Sequence, residues 1–491
     1  MKKELPRKQF IKMAALGSVG LYLSSCHSST PAKTTQKVNP AKDTIPKPTA
    51  IVKSTTSDVI LYKKGDALYD QLRNGFNKRI NKFPAVIALC KTTEGVVTAL
   101  DHARKNGLPV AIKSGGHCME GFSVNDGGMA INLSEINGVE KVNDNLFKVG
   151  PGTVLMQLYN AVLPQQRIVP AGACGMVGIG GLALGGGYGF FSRHYGLACD
   201  QLMELTMADA KGNIHTAKDN DELLWACRGG GNGNFGVITS MTFRSHPLPP
   251  QFQSHRFRAF NVDTARALKI MEKWFELGAD LPVSCFSAFV LNHTTAYVLL
   301  TNYGEHTPQV QNFIDAITAL TDKASNGQPI ETAKAVKTFY GSLVPVTFRN
   351  SCAGLYNSFA ELSGFISSVI EKVSSTPGMI YQVNTLGGNI ANKDFEAASA
   401  YPHRSKKFVS ELQTYWEQPG QAEKLTQAFA DVQNVFASNG IIAQYCNYPY
   451  LGFTNWQQAY YGDNYARLQA VKNMYDPDNL IRHEQSVRNK I

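Results

Sequence analysis

One stretch, residues 170–189, constrains the fold more than any other, because nine of its twenty residues are glycine. Glycine loses more conformational freedom on folding than other residues do, so such a density is favourable only where the backbone turns sharply or approaches something closely. No charged residue interrupts the stretch, and its Met, Val, Ile and Leu residues distinguish it from a flexible linker. Its backbone N–H groups are therefore suited to bind a phosphate without a lysine.

The two common glycine-rich nucleotide motifs do not explain this stretch. The run Gly178-Ile-Gly180-Gly-Leu-Ala183 matches the loose dinucleotide fingerprint, which requires a strand before it and a helix after it. The preceding residues, 165–170, would form a poor central strand, and no Gly-Lys-Ser/Thr of a Walker motif is present. We therefore reject a Rossmann-type site and a P-loop.

Two further glycine clusters and a C-terminal signature accompany the stretch. The clusters lie at 111–123 and 223–237, and the signature lies at 460–479. In this order, the motifs resemble the PCMH-type flavin-binding domain of the vanillyl-alcohol-oxidase superfamily. The closer resemblance is to the berberine-bridge-enzyme-like oxidases, and it covers residues 56–491.

The resemblance implies FAD held by two covalent bonds. In the family, the histidine after the paired glycines bonds to the flavin ring and matches His117, and a cysteine that forms the second bond matches Cys174. The sequence departs from the family at Gly175-Met176, where Pro-Thr is common. Lys113 replaces an arginine, and we expect it to be a phosphate-side or surface cation. The complete set of further residues expected to bind the cofactor is Lys113, Ser114, Gly115, Gly116, Gly121, Val177, Gly178, Gly180, Gly181, Gly185, Gly186, Tyr188, Gly189, Gly236, Val237, Asn447 and Asn464.

Two short motifs predict the catalytic side of the site. Tyr445-Cys-Asn447-Tyr448 resembles a family motif whose tyrosine accepts a proton in carbohydrate-oxidising members. Because residues three apart on a strand face opposite sides, we expect only Tyr448 to face the flavin, with Tyr445 as the alternative. A free tyrosine has a pKa near ~10, so a catalytic one requires a lowered pKa. Gln382 and Asn384 resemble a flavin-facing strand on which some relatives have a carboxylate, and we include Gln382 among the catalytic candidates.

The sequence pattern predicts how the flavin-binding part is built. An apolar run at 84–89, a helix capped by Thr93 and a strand at 108–112 form a β-α-β unit that ends in the His117 loop. A second α/β subdomain is expected to contain strands at 129–133, 146–149 and 202–208 and a helix at 155–162.

After residue 247 the glycine clusters thin out, and amphipathic helices such as 265–277 alternate with apolar strands such as 296–300. The resemblance implies a substrate domain with an antiparallel sheet covered by helices. A last helix is predicted at 464–475, before Pro477. We therefore predict an α+β fold with an export signal at 1–25, a disordered tether at 26–57, a PCMH-type FAD-binding domain of two α/β subdomains at 58–246, a substrate-binding domain at 247–440 and a C-terminal berberine-bridge-type segment at 441–491 that returns to the FAD domain.

The net charge of +10 is concentrated at the N-terminus. Residues 1–60 hold ten Lys/Arg and three Asp/Glu, so the remainder carries only +3, which argues against a nucleic-acid partner. A basic start and the apolar residues 13–23 predict an export signal that is too short for a transmembrane helix. Leu23-Ser-Ser-Cys26 resembles a bacterial lipobox. We expect an exported bacterial protein, periplasmic or on the cell surface, whose only membrane contact is a lipid anchor at Cys26; an ordinary cleaved signal is the alternative.

The resemblance implies an FAD-linked oxidase that acts on CH–OH groups. The favoured reaction is oxidation of a sugar or oligosaccharide at its anomeric carbon to a lactone, with O₂ reduced to H₂O₂. The alternatives are oxidation of a secondary-metabolite alcohol or aromatic compound, a dehydrogenase with another electron acceptor, and a glycan-binding lipoprotein without catalysis. No CxxC pair and no His/Cys/Asp/Glu cluster with metal spacing occurs, so we predict no metal site.

Overall fold

The computed structural model describes residues 58–490, which form sheets of four, five and eight strands, a two-stranded ribbon and fourteen α-helices. The predicted export signal, Cys26 and the tether lie outside the described residues. The combination of helices with separate parallel and antiparallel sheets confirms the predicted α+β class. Every helix in the described part is too short or too polar to span a bilayer.

The four-stranded sheet leads into the His117 loop. Its strands are, in spatial order, Val59–Tyr62, Val86–Cys90, Met129–Asn132 and Val110–Lys113. The last three are parallel, and the helix Thr93–Lys105 connects two of them. This helix is capped by Thr92, which accepts a hydrogen bond from Gly95 N, and not by the predicted Thr93.

The strand Met129–Asn132 corrects the predicted division into subdomains. We expected it in the second subdomain, but it lies in the first sheet between Val86–Cys90 and Val110–Lys113. All four of its residues are buried, as is typical of the centre of a parallel sheet covered on both faces. The flanking sequence does not predict the position of this strand in the first sheet, because the order of strands in a sheet does not have to follow their order in the chain.

The five-stranded sheet is antiparallel. Its strands are, in spatial order, Val139–Lys141, Leu146–Val149, Gly236–Arg244, Leu202–Asp209 and Ile214–Ala217. The predicted helix is present as Leu155–Val162. The glycine-rich stretch contains only one short helix, Ile179–Leu184, and the two-residue strand before it, Arg167–Ile168, pairs with His246–Pro247. The other helices of this part are Tyr69–Arg73, Ser192–Tyr195 and Glu222–Gly230.

The eight-stranded sheet is antiparallel throughout and is covered by helices on one face. Seven strands lie in the spatial order Lys323–Asn326, Gln251–Ala259, Thr295–Asn302, Cys285–Asn292, Met379–Thr385, Phe408–Tyr415 and Phe348–Tyr356, and Ile330–Glu331 pairs with the second of these. The helices whose apolar residues share a core with this sheet are Thr264–Gly278, Pro308–Leu320, Ile366–Ser375 and Ala422–Ser438. Two short helices, Thr332–Lys337 and Lys393–Ala397, complete this part. The predicted helix at 265–277 and strand at 296–300 are confirmed within one or two residues.

The other face of the large sheet packs towards the glycine-rich stretch. Along the strand Phe408–Tyr415, Phe408 and Leu412 belong to the core under the helices, whereas Val409 and Tyr415 belong to the core that contains the glycine-rich stretch. Side chains alternate between the two faces of a strand. Glu411 therefore lies on the same face as Val409, towards the glycine-rich stretch.

The C-terminal segment returns to the glycine clusters. The helix Trp456–Tyr461 is followed by the helix Tyr465–Tyr475, which ends two residues before Pro477, as predicted. The ammonium group of the fully buried Lys472 donates to the Asp476 carboxylate at 2.6 Å and to the carbonyl of Asn234 at 2.7 Å. This buried pair ties the segment to the third glycine cluster. The domain boundaries given above stay a prediction.

Candidate functional site

A cavity lies where the three glycine clusters and the C-terminal segment meet. Its wall is largely glycine backbone and apolar side chains at one side and tyrosine rings at the other. The structure thus brings together residues that are far apart in the sequence. The predicted site residues that line the cavity are Ser114, Gly115, Gly116, His117, Cys174, Val177, Gly178, Gly180, Gly181, Tyr188, Gly236, Tyr445, Asn447 and Tyr448.

Two of the glycine clusters interlock through Gly115 and Gly178. A Cβ on Gly178 would overlap Ser114 Oγ and the backbone nitrogen of Gly115. A Cβ on Gly115 would lie 2.5 Å from Gly178 N. Ser114 Oγ in turn donates to Pro151 O at 2.6 Å. Glycine is required here because the backbones of the two loops touch.

His117 lies in the cavity wall with its ring stacked on Phe76. The ring centroids are 4.1 Å apart and the planes meet at 18°. Burial lowers the pKa of His117 from 6.5 to about 4. The imidazole is therefore neutral near pH 7, and a neutral imidazole keeps the lone pair that a nucleophile needs.

Cys174 lines the same cavity and is 9% exposed. Burial, and secondarily the charge of Glu411, raises the pKa of its thiol to about 12. The thiol is therefore protonated at neutral pH and needs a base before it can act as a nucleophile. The next residue, Gly175, donates its backbone N–H to Tyr340 O at 2.9 Å.

The remaining predicted residues do not line the cavity; they are Lys113, Gly121, Gly185, Gly186, Gly189, Val237, Asn464 and Gln382. Lys113 is buried and is not a surface cation: its ammonium group donates to Leu72 O at 2.6 Å and to Asn74 O. Burial lowers the pKa of Lys113 to about 8. Asn464 donates to Ala400 O at 3.1 Å.

The tyrosines of the 445–448 motif do not lie on a strand. Tyr448 N donates to Tyr445 O at 2.9 Å, which closes a turn. The two rings lie on the same side, with centroids 5.0 Å apart, and both contact the ring of Tyr188. The expectation that only one of them could face the site, which assumed an extended backbone, is therefore wrong.

The two hydroxyl groups differ in their partners. The hydroxyl oxygen of Tyr445 accepts from Gly187 N at 2.7 Å and from the amide of Asn447 at 2.8 Å, so it braces the glycine-rich stretch. The hydroxyl of Tyr448 lies 2.9 Å from the hydroxyl of Tyr188. Only the second arrangement connects a cavity tyrosine to a further polar chain.

That chain ends at Glu411, a residue that the sequence reasoning missed. The hydroxyl of Tyr188 donates to Glu411 Oε1 at 3.1 Å and accepts from Asn384 Nδ2 at 3.0 Å. Asn350 Nδ2 donates to Glu411 Oε2 at 2.9 Å. Several donors around one buried carboxyl group suit its ionised form. The signal for this residue was present in the sequence, since Glu411 is an acid inside an otherwise uncharged strand.

Gln382 lies further from the cavity than predicted, behind Asn384. It is paired across the strands with Glu411, and its amide donates to Asn384 Oδ1 at 2.9 Å. Asn384, and not Gln382, makes the contact with Tyr188. Gln382 therefore orients Asn384.

The expected depression of a tyrosine pKa is not found. Burial, and then the charge of Glu411, raises the pKa of both Tyr448 and Tyr188 well above 10. No cation of the described residues is among the causes that act on either phenol. A free phenolate is therefore unfavourable, and a proton taken up at Tyr448 must be passed on.

The residues that line the cavity without having been predicted include Phe122, Asn232, Arg482 and His483. The His483 ring stacks on Phe122 with centroids 4.4 Å apart, and its Nε2 lies 3.2 Å from Asn232 O. Burial lowers the pKa of His483 to about 4. Asn232 lies in the third glycine cluster, which was identified from the sequence, but the residue itself was not predicted to be part of the site.

The donor set of the cavity fits an elongated cofactor with a diphosphate. Glycine-loop backbone and the exposed Arg482 provide amide donors and positive charge, whereas Ile112 and Leu133 provide an apolar lining. The buried Oδ1 of Asn232, a residue of the cavity wall, has no hydrogen-bond partner among the described residues. No group of three or more His, Cys, Asp or Glu within residues 58–490 is placed to hold a metal ion.

Two family models match the chain. One is described as an FAD binding domain and matches residues 84–218. The other is described as berberine and berberine like and matches residues 444–488. Both matched segments contribute to the cavity wall.

Related proteins cover most of the chain. Chitooligosaccharide oxidase of Gibberella zeae is 27% identical, over 87% of this chain and 92% of its own length. Aclacinomycin-N/aclacinomycin-A oxidase of Streptomyces galilaeus is 28% identical, over 85% of this chain and 88% of its own length. The solved structure of wild-type BBE-like 1 of Physcomitrella patens is similar in fold, with a TM-score of 0.80 and 23% identity over 88% of this chain and 97% of that one. The two matched domains and these relatives show an FAD-linked oxidoreductase that is similar, over most of its length, to the berberine-bridge-enzyme-like enzymes of the PCMH-type superfamily.

Proposed function

We propose that the protein oxidises the anomeric CH–OH carbon of a sugar or oligosaccharide to a lactone and passes the electrons to O₂. The observation that carries the proposal is the hydrogen-bonded chain from the cavity tyrosine Tyr448 through Tyr188 to the buried carboxylate Glu411. A hydroxyl group that is oxidised to a carbonyl must lose its proton, and this chain can take it. The chitooligosaccharide oxidase relative supports a sugar as the substrate.

The protein's own contribution is proton transfer. FAD held at His117 and Cys174 would supply the acceptor for the hydride of the carbon, that is, one proton with two electrons, and would return both electrons to O₂, giving H₂O₂. Tyr448 accepts the substrate proton while it gives its own to Tyr188, 2.9 Å away, and Tyr188 gives its proton to Glu411 Oε1 at 3.1 Å. Neither phenol has to exist as a phenolate, which agrees with their raised pKa values. Asn384 keeps the Tyr188 hydroxyl pointing at Glu411.

The cofactor is proposed to be bicovalent, through His117 and Cys174. Both side chains line the cavity, and His117 is neutral at physiological pH. The flavin should stay with the chain after acid precipitation. His117→Ala and Cys174→Ala should each leave one bond, and covalent flavin in the double variant would contradict the assignment.

The reaction is tested by mixing the protein with reducing oligosaccharides under anaerobic conditions. We expect a chito-, xylo- or cello-oligosaccharide to bleach the flavin, and air to restore the colour with one H₂O₂ per lactone. The same sugars reduced to alditols lack the hemiacetal and serve as the control, which should not bleach it. Bleaching only by alcohols or aromatic compounds would favour the second substrate class. Bleaching without recovery in air would favour a dehydrogenase, and a flavin that no substrate reduces would contradict an enzyme.

We also propose that the enzyme is exported and anchored through a lipid on Cys26, on the basis of the Leu23-Ser-Ser-Cys26 motif. A single acyl chain gives only marginal membrane attachment, whereas two or more give stable anchoring. The wild-type protein should fractionate with membranes, and Cys26→Ser should release it or stall its processing. Wild-type protein that is soluble and unacylated would contradict the anchor.

A further inference from the structure

A segment of the large-sheet part contacts a neighbour of each predicted flavin-bonding residue: Gly175, which follows Cys174, and Phe76, which stacks on His117. This segment, residues 338–347, joins the helix Thr332–Lys337 to the strand Phe348–Tyr356, and we call it the strap. It lies outside both segments that the family models match. Its two ends contact different loops of the cavity wall.

The first end of the strap packs on the Cys174 loop. Tyr340 O accepts from Gly175 N at 2.9 Å, and a Cβ on Gly175 would lie 2.9 Å from Tyr340 Cγ. The Tyr340 ring is also parallel to Tyr159, with centroids 6.4 Å apart. The buried Tyr340 hydroxyl has no hydrogen-bond partner among the described residues. Tyr340 therefore contacts the Cys174 loop through its ring and its backbone carbonyl, and not through its hydroxyl. Glycine stands at 175, where proline is common in the family, because the ring fills that space.

The second end of the strap holds the His117 loop through Phe76. Val346 N donates to Phe76 O at 3.1 Å, and Val346 O accepts from Lys78 N at 2.9 Å. Phe76 N donates to Gly116 O at 2.9 Å, and the Phe76 ring stacks on the His117 ring at 4.1 Å. The strap therefore fixes the position of Phe76, and Phe76 fixes the plane of the imidazole.

We propose that Tyr340 and Phe76 are positioning residues for covalent flavin attachment, Tyr340 for the bond to Cys174 and Phe76 for the bond to His117. The inference rests on the bicovalent FAD of the proposed function. Each of the two bonds depends on a different positioning residue, and the strap holds both of these residues in place. Attachment is thereby coupled to the docking of the large-sheet part on the glycine loops.

The bond-forming steps balance with O₂ as the oxidant. Each bond replaces a C–H bond of the flavin ring system by C–N or C–S. The imidazole N–H or thiol S–H is lost in the same net reaction. The two protons and two electrons released reduce O₂ to H₂O₂. A nucleophile displaced by about 1 Å can lose on the order of 10²-fold in rate, so the orientation of each side chain matters.

The inference is tested in two backgrounds that each allow a single bond. Cys174→Ala leaves only the His117 bond, and His117→Ala leaves only the Cys174 bond. In the first background, Phe76→Leu should slow attachment by about 10–100-fold, and Tyr340→Ala should not. In the His117→Ala background, Tyr340→Ala should slow attachment by the same factor, and Phe76→Leu should not. The readout is flavin per chain after acid precipitation, at fixed times of expression, with the thermal midpoint of each variant as the measure of folding.

Conservative variants separate orientation from general support. Phe76→Tyr and Tyr340→Phe keep the rings and should attach flavin at the parental rate. Equal losses of both bonds from Phe76→Leu or from Tyr340→Ala, or no loss from these two variants in either background, would overturn this inference and leave the bicovalent attachment standing. Absence of covalent flavin in both single-bond backgrounds, before Phe76 or Tyr340 is changed, would overturn the bicovalent attachment and this inference with it.

Discussion

The two walls of the cavity are built in opposite ways. The loop wall, formed by the glycine clusters at 111–123 and 170–189, presents backbone and apolar groups, and its packing depends on residues that lack side chains. The sheet wall consists of two tyrosine rings, Tyr188 from the end of the glycine-rich stretch and Tyr448, with Asn384 and Glu411 of the large sheet behind them; their buried polar groups are hydrogen-bonded to one another. The loop wall is suited to hold a cofactor, and the sheet wall is suited to move a proton. Changes in the first should alter flavin content, and changes in the second should alter turnover at unchanged flavin content.

The largest effect is expected on the sheet wall. Glu411→Gln removes the end of the proton chain and keeps the shape of the side chain, so flavin reduction by substrate should slow by ~10²–10⁴-fold. Flavin content should not change. Glu417→Gln, which alters an exposed carboxylate six residues further along the same chain segment, is the matched control. Anaerobic stopped-flow absorbance measures the rate, and a loss below about threefold would remove Glu411 from the proton path.

A change in the loop wall should act on the cofactor instead. Gly178→Ala places a Cβ against Ser114 Oγ and Gly115 N, and overpacking of this kind costs about 1–3 kcal/mol or more. We expect a lower ratio of flavin to protein and a lower thermal midpoint. Gly364→Ala, away from the cavity and with no atom within 4 Å of the new Cβ, is the control and should leave both unchanged. Equal flavin content in the two variants would contradict the role given to the loop packing.

The smallest effect concerns acid stability at the loop wall. His483 is neutral when folded, because burial lowers its pKa from 6.5 to about 4. Above pH 6.5 the imidazole is neutral in the folded and in the unfolded state, so its titration does not change the free energy of unfolding. As the pH falls from 6.5 towards 4, only the unfolded chain takes up the proton, so the folded state loses stability. His483→Asn keeps a donor and an acceptor without titrating, so its free energy of unfolding should fall by about 1–2 kcal/mol less than that of the wild type between pH 7 and 5.

Urea unfolding at the two pH values measures this difference. The contributions of His117, His246 and His403, whose pKa values burial also lowers to about 4, are common to both proteins and cancel. An identical pH dependence in the wild type and the variant would show that His483 is not held neutral by the fold.

The loop wall could be predicted from the sequence because each close backbone contact restricts the residue type at its own position. A contact such as that between Gly115 and Gly178 excludes every side chain, so the chain records it as glycine at fixed positions. The α+β class followed for a related reason, since helical and strand periodicities are also local. The place of the strand Met129–Asn132 was not readable, because strand order depends on partners that are distant in the chain.

The sheet wall could be predicted only in part. The tyrosines were found through their motif, but their directions were wrong because the backbone turns at Tyr445 and does not extend. Glu411 was missed because its role depends on the face that the strand Phe408–Tyr415 turns towards the glycine-rich stretch. The register of neighbouring strands, which places Gln382 beside Glu411, fixes that face.

The most direct test of the account compares Tyr448→Phe with Tyr445→Phe in anaerobic stopped-flow reduction of the flavin. Tyr448 has the hydroxyl connected to Tyr188 and Glu411, whereas the Tyr445 hydroxyl accepts from Gly187 and Asn447. We predict that Tyr448→Phe slows reduction by ~10²–10⁴-fold at unchanged flavin content, and that Tyr445→Phe has a much smaller effect on this rate. A loss below about threefold for Tyr448→Phe, with a large loss for Tyr445→Phe, would contradict the proposed proton path.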